Sequence, residues 1–188
     1  MAVVQKDLPR VSSRVVASGG VAYRVVASRP NELELGAWRT LLRAHDQVVR
    51  KLEAELVAEH DLPLPSYDVL LQLAESEGRR LRMTELADRV LLSRSGLTRL
   101  VDRLEREGLV ERQSCPNDAR GTHAVLTAAG LTRLRGAAPT HLRGIAEHVT
   151  SKLSADEVAT LTTLLGRLMT DGHVPPPTGG CGAAEGLA

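Results

Sequence analysis

Phenylalanine is absent from the 188 residues, and the only other aromatic residues are Trp38, Tyr23 and Tyr67. Exposed aromatics are needed to stack the bases of a single strand, so that mode of nucleic-acid binding is disfavoured. Lysine is nearly absent as well: 21 of the 24 basic residues are arginine, a bias that fits the codon usage of a GC-rich genome. The formal net charge is only +1, which argues against a massed polyanion binder. Cysteine occurs twice, as Cys115 and Cys181, with no CxxC pair and no disulfide framework, so a reducing cytoplasm is the expected compartment. No apolar run approaches the roughly 18 residues of a membrane span. The first residues lack the continuous apolar core of a signal peptide, so no membrane partner is expected. A nucleophile–base motif and a phosphate loop are missing too. His141 and His148 would share a helix face and His45 and His60 lie elsewhere, with no third or fourth ligand at metal-site spacing. No catalytic residue, metal site or cofactor is therefore assigned.

What is present is concentrated between Thr84 and Leu126. Thr84 is placed to cap a helix, and Leu86, Ala87, Val90 and Leu91 recur behind it at helical spacing. Ser93 is a second N-cap only two residues beyond Leu91, so the chain must turn sharply and restart at Arg94. The second helix buries Leu97, Leu100, Val101 and Leu104, and Gly108 stops it. Its other face carries Ser95, Thr98, Arg99, Asp102, Arg103 and Arg106. A packed face opposite an arginine-bearing face suits a helix that enters a major groove, where Arg bonds guanine and Ser or Thr bonds base edges or phosphates. An ordinary amphipathic surface helix would share the pattern, and the hairpin beyond Gly108 separates the two. Leu109–Ser114 and Thr122–Leu126 read as paired strands around the turn formers Cys115–Gly121. Arg120 falls at or near the tip, where it can reach a minor groove. Asp118 either orients a neighbouring arginine or serves only as a turn residue. Helix, turn, helix and hairpin make a winged helix-turn-helix, with double-stranded DNA as the first partner to consider. From Arg79 to His123 there are ten Arg against seven Asp or Glu, so the cations are placed rather than massed.

On either side the chain reads as helix. Leu35, Trp38, Leu41, Leu42, Val48, Val49, Leu52 and Leu56 give a broad stripe between Leu33 and His60. Leu62-Pro-Leu-Pro65 breaks the chain, and Ser66 is placed to cap a helix running to about Ser76. Leu81–Met83 is a candidate third strand. Thr127 caps a stretch reaching about Leu153, which Pro139 should kink or divide. Ser154 and Glu157 form a capping box before Val158, Leu161, Leu164, Leu165, Leu168 and Met169, with Gly172 as the stop. The first and last helical regions offer more apolar surface than a small winged helix covers, so a homodimer is expected, joined through Leu35, Leu41, Leu142, Leu161, Leu164, Leu165 and Leu168. The sequence RVVAS occurs at 14–18 and again at 24–28 around Gly19-Gly20, a possible hairpin within an extension expected to be disordered or weakly ordered. The expected division is an extension over 1–32, a core over 33–172 and a disordered tail over 173–188. Within the core, dimerisation helices occupy 33–60 and 127–171 and a DNA-binding lobe occupies 62–126.

The run LLSRSGLTRLVDRLEREGLVER, the wing pattern Asp118-x-Arg120 and the subsequent Leu126-Thr127-x-x-Gly130 resemble the DNA-binding core of the MarR family of bacterial transcription regulators. The likeness extends over roughly residues 33–171. Family wings often carry two adjacent arginines, whereas here Ala119 precedes a single Arg120. The resemblance implies a mainly α, α+β winged helix-turn-helix lobe whose N- and C-terminal helices form a dimerisation domain. It implies a regulator, more a repressor than an activator, that leaves a pseudo-palindromic operator when a phenolic or anionic effector binds between lobe and dimer helices. Trp38, Arg43, His45, Tyr67 and Asp68 are the candidate effector contacts. The end of the Thr84 helix and Ser93 would hold phosphates, Arg94, Ser95, Thr98, Arg99 and Arg103 would lie at the major groove, and Arg120 would enter the minor groove. Two other readings use the same elements: a winged helix for protein contact, and a redox sensor in which neighbouring arginines activate the Cys115 thiol.

Overall fold

The computed structural model describes residues 15–18, 21–24, 29–115 and 118–169. The chain divides into two compact units, residues 1–46 and 47–188. In the first, strands β1 (Val15–Ser18) and β2 (Val21–Arg24) pair antiparallel, with Ser18 opposite Val21. The doubled RVVAS segment thus contributes its first copy to one strand, while residues 25–28 of the second lie outside the described residues. Helix α1 runs from Glu32 to His60. Asn31 caps it: its side chain accepts the Glu34 N–H, and the Glu34 carboxylate accepts the Asn31 N–H, a reciprocal box. The broad stripe expected of this helix is buried only at Leu52 and Leu56. Leu33, Trp38 and Leu42 are exposed.

The second unit holds the core. Helix α2 (Leu64–Glu75) begins two residues earlier than the expected Ser66 cap, with Pro65 in its first turn, where a missing N–H costs nothing. Its first amide is satisfied through space, because the Glu53 carboxylate of α1 accepts the Leu64 N–H at 2.5 Å. Ser66 is thereby freed from capping and is buried. Strand β3 (Arg80–Arg82) leads directly into α3 (Met83–Arg89). Thr84 is therefore inside the helix and not its cap; the N-cap position is Arg82, without a side-chain bond. Helix α3 also stops before Leu91, which takes a positive φ of 54° and is 90% exposed. The helical spacing of Val90 and Leu91 continues past the point where the backbone leaves the helix.

Helix α4 (Arg94–Arg106) is built as its sequence dictates. The Ser93 hydroxyl accepts the Gly96 N–H at 3.1 Å. At the far end Gly108 has φ 73°. Its N–H bonds the Glu105 carbonyl while the Leu109 N–H bonds the Leu104 carbonyl, a Schellman stop. The sheet is antiparallel in the order β3-β5-β4, with β4 over Val110–Cys115 and β5 over Asp118–Leu126. Thr127 caps α5 (Ala128–His148), which passes through Pro139 undivided. A short 3-10 turn precedes α6 (Ala155–Gly166), whose Ser154/Glu157 capping box is present. Gly172 lies outside the described residues. The core joins Leu56, Leu70 and Leu73 to Leu86, Leu97, Val101 and Leu104, then to Val110, Ala124 and Leu126 of the sheet and to Leu131 and Leu134 of α5. One face of α4 is therefore fixed against the lobe. No helix among the described residues is long and apolar enough to cross a membrane.

Candidate nucleic-acid interface

With Leu97, Val101 and Leu104 buried, the opposite side of α4 presents Ser95, Thr98, Arg99 and Arg106 to solvent. Ser95, Arg99, Asp102 and Arg106 are three or four residues apart and make one outward row. Arg94 and Ser93 are exposed at the helix N-terminus, where unpaired amides and the helix dipole favour phosphate. The Thr98 hydroxyl donates to the Arg94 carbonyl at 2.9 Å and keeps lone pairs for an incoming donor.

Two expected base readers are placed differently. Arg103 sits on the flank of α4 nearest α2, where its guanidinium donates to the buried Ser66 hydroxyl at 2.5 Å and lies 3.8 Å from Glu107. In this geometry it ties α4 to α2. Asp102 is also engaged, by an arginine that inspection of the helix alone does not pick out. Arg112 on β4 places Nη1 2.6 Å from Asp102 Oδ1 and 2.7 Å from Glu105 Oε2. Its Nη2 donates to the Thr98 carbonyl at 3.3 Å, and its backbone N–H donates to Glu105 Oε1 at 3.2 Å. The pairing partners are non-local, so no helical spacing announces them.

The hairpin is longer than expected on its second side. Cys115 pairs with Asp118, whereas Ser114 pairs with Thr122, so residues 119–121 form a bulge in β5. Arg120 lies in this bulge, two residues after the closing pair. Residues 116–117 are outside the described residues, as are the side chains of Cys115, Asp118 and Arg120.

Away from this face, the expected effector residues fall in both units. Trp38, Arg43 and His45 are exposed on the first half of α1. In the second unit Tyr67 is buried and packs on His141, with ring centroids 4.4 Å apart. The sequence presents His141 only as a possible metal ligand, yet its buried Nδ1 has no hydrogen-bond partner, and burial lowers its pKa. Burial also raises the Tyr67 hydroxyl to about 12. The neighbouring Asp68 carboxyl is lifted by burial, and further by Glu53, from its ordinary 3.8 to about 6. Between those values the folded protein keeps a proton that the unfolded chain has lost, so this group makes stability fall as pH rises. Above about pH 6 the whole penalty is present. Asp68→Asn should therefore raise the urea midpoint at about pH 7.5 and leave it nearly unchanged at about pH 3.5. Equal gains at both pH values would show that the charge is not the cause.

Glu55, Glu147 and His148 bring donor atoms within 4.8 Å of one another, a grouping the sequence does not reveal. His148 Nε2 is already 2.5 Å from Glu55 Oε1, and Glu147 is exposed, so the group is organised as an ion pair between α1 and α5. A polar cavity of about 700 Å³ beside β3 and α3 is lined by Ser76, Arg80, Arg82, Glu85, Arg89 and His123 among others. Glu85 and Arg89 pair with each other across 2.7 Å within it.

Comparison with known proteins bears directly on this lobe. Residues 60–121 match the model of the MarR family. The regulator MhqR of Bacillus subtilis is 33% identical over 104 residues, which are 55% of this chain and 70% of that protein. The chain belongs to the MarR family. The MarR-family regulator Sco3205 of Streptomyces coelicolor, crystallised with DNA, has 35% identity and a TM-score of 0.72, covering 81% of this chain and 95% of its own. A variant of Escherichia coli MarR, crystallised with operator DNA, has 28% identity and a TM-score of 0.66, covering 76% of this chain and 99% of its own. This MarR-family chain is a winged helix-turn-helix, DNA-binding transcriptional regulator, and its relatives are regulators and not enzymes.

Proposed function

We propose that the protein is a homodimeric repressor that reads a pseudo-palindromic operator and leaves it when a small phenolic or anionic effector binds. The observation that carries this reading is the outward row of α4, in which Ser95 and Arg99 are exposed on a helix whose opposite face is locked into the core. Ser93 and Arg94 would meet phosphates, as would the amides at the start of α3, with Thr84 beside them. Ser95, Thr98 and Arg99 would contact bases. Arg103 would contribute by reorienting from Ser66 or by holding α4 in place. Arg120 would reach the minor groove from the wing, with Asp118 close by to orient it.

A dimer is supported by α6, which buries none of its own residues, and by Leu142 of α5, 48% exposed. Leu35 and Leu41 are half-buried on the first half of α1, and the division into an extension over 1–32, a core over 33–172 and a tail over 173–188 belongs to the same proposal. The effector reading is supported by Tyr67, Asp68 and His141, polar groups held at burial without full satisfaction. Trp38, Arg43 and His45 remain its proposed contacts from α1. Its release of DNA would equal its differential affinity for the two states of the dimer.

Arg99→Ala should weaken operator binding by roughly 1–3 kcal/mol and relax sequence preference. Titration of wild-type and variant protein against the operator and single-base substitutions of it decides this. Unchanged discrimination would place Arg99 on phosphate or in solvent. A folded dimer with no salt-dependent DNA binding would instead favour the protein-contact reading.

A further inference from the structure

Arg112 straps β4 to the flank of α4. Thr98, Asp102 and Glu105 are spaced i, i+4 and i+7, so they line one flank of the helix, between its buried and its outward faces. Strand β4 lies along this flank. Arg112 touches all three residues, and Glu105 accepts both its side chain and its backbone N–H. Its side chain is 26% exposed, and two carboxylates take the N–H bonds of Nη1.

The charges matter as much as the distances. One guanidinium against two carboxylates leaves the cluster at a net −1. It sits on the helix that carries Ser95 and Arg99, beside the strand that leads to Arg120. Judged by charge alone, such a cluster opposes a phosphate backbone. Planar, fork-shaped donors hold several acceptors at once, which an ammonium does not. The chain reverses at Gly108, a single residue with positive φ, so the covalent link alone does not set the angle between helix and wing. The strap closes early in β4, before the bulge that begins at Ser114/Cys115.

We propose that Arg112, with Asp102 and Glu105, is a positioning element that fixes the wing against the recognition helix so that both engage one duplex together. Arg112 is not itself a phosphate ligand. The proposal rests on the DNA-binding reading of this lobe and adds to it a role for two acidic residues on the DNA-binding helix.

The test uses the full chain and a duplex that the wild-type protein selects from a random pool. Affinities across a salt series, thermal midpoints and hydroxyl-radical footprints are measured for Glu105→Ala, Arg112→Lys and Arg112→Gln. Electrostatics alone predicts that Glu105→Ala binds tighter, since it removes a negative charge. The strap predicts the reverse: about tenfold or greater loss for Glu105→Ala and for Arg112→Lys, although the second keeps its charge. It also predicts an unchanged salt slope and loss of the wing's footprint while protection by the helix persists. Tighter or unaltered binding by Glu105→Ala, full affinity in Arg112→Lys, or a slope reduced by about one in Arg112→Gln overturns the proposal. If Glu105→Ala is unfolded, Arg112→Lys decides by the same slope and footprint. If wild-type protein selects no duplex, it is the DNA-binding reading that fails.

Discussion

Gly130→Ala is expected to destabilise the protein by roughly 3 kcal/mol, at the upper end of overpacking in a tight site. Gly130 stands in the first turn of α5, where a Cβ would lie 2.1 Å from the Leu109 carbonyl oxygen and 2.7 Å from Leu126 Cδ1. The Leu109 oxygen is not free to retreat. It accepts the Thr127 N–H at 3.2 Å and the Thr127 hydroxyl at 3.1 Å, and that hydroxyl also accepts the Gly130 N–H at 2.9 Å. An added methyl must therefore pull the start of α5 away from the base of the wing and loosen the cap. The midpoint of thermal unfolding should fall by about 6–12 °C. Gly136→Ala, in the same helix with nothing within 4 Å of its Cβ position, supplies the contrast, because removing a helix-interior glycine should stabilise by up to about 1 kcal/mol. If both substitutions raise the midpoint, the close approach at Gly130 is not a constraint. The Leu126-Thr127-x-x-Gly130 pattern is thus a packing requirement: the position three beyond the Thr127 cap must have no side chain for strand and helix to meet.

What is legible in the sequence is local. Ser93, Gly108, Thr127 and the Ser154/Glu157 box each act within a few residues of themselves, and each terminates or starts its helix as its chemistry dictates. Interactions across elements are not legible. Ser66 has the chemistry of a cap, yet Glu53, eleven positions before Leu64, supplies the acceptor and leaves Ser66 for Arg103. Arg103 shares a helix with Arg99 and looks equivalent by type, but it falls on the flank facing α2. Leu91 continues an apolar spacing beyond the end of its helix and is exposed in consequence. Arg112 reads as one cation of a strand, because nothing in its own neighbourhood shows Asp102 and Glu105 waiting across the turn. On the DNA-binding face, then, the sequence identifies the helix and its exposed residues, while their mutual placement depends on tertiary partners that only the fold brings together.

Replacing Leu164 and Leu168 together by glutamate should convert the protein to a monomer and lower operator affinity by roughly 10²–10⁴-fold, the range lost when two linked binding sites act singly. Leu161, Leu164 and Leu165 fall at i, i+3 and i+4 on α6 and are 38%, 50% and 37% exposed; Leu168 extends the row at 66%. A helix of twelve residues with no buried residue gains little from its own propensity, since isolated helices of that length are marginal in water. Its capping box fixes where it starts but supplies only about 1 kcal/mol. The apolar row therefore needs a surface to cover it, and a second copy presents the same row by two-fold symmetry. Two carboxylates on each row would face their counterparts across the axis, unpaired and desolvated, a cost that the remaining leucines do not offset. Sedimentation velocity reads the association state and titration with the selected duplex reads the affinity. Each monomer would keep its intact α4, so weak binding to a single half-site should persist with a reduced salt slope. If the variant stays dimeric, the interface lies elsewhere on the chain and the exposed row of α6 has another occupant. If it becomes monomeric yet keeps full affinity, one lobe suffices for recognition and the operator need not be a palindrome.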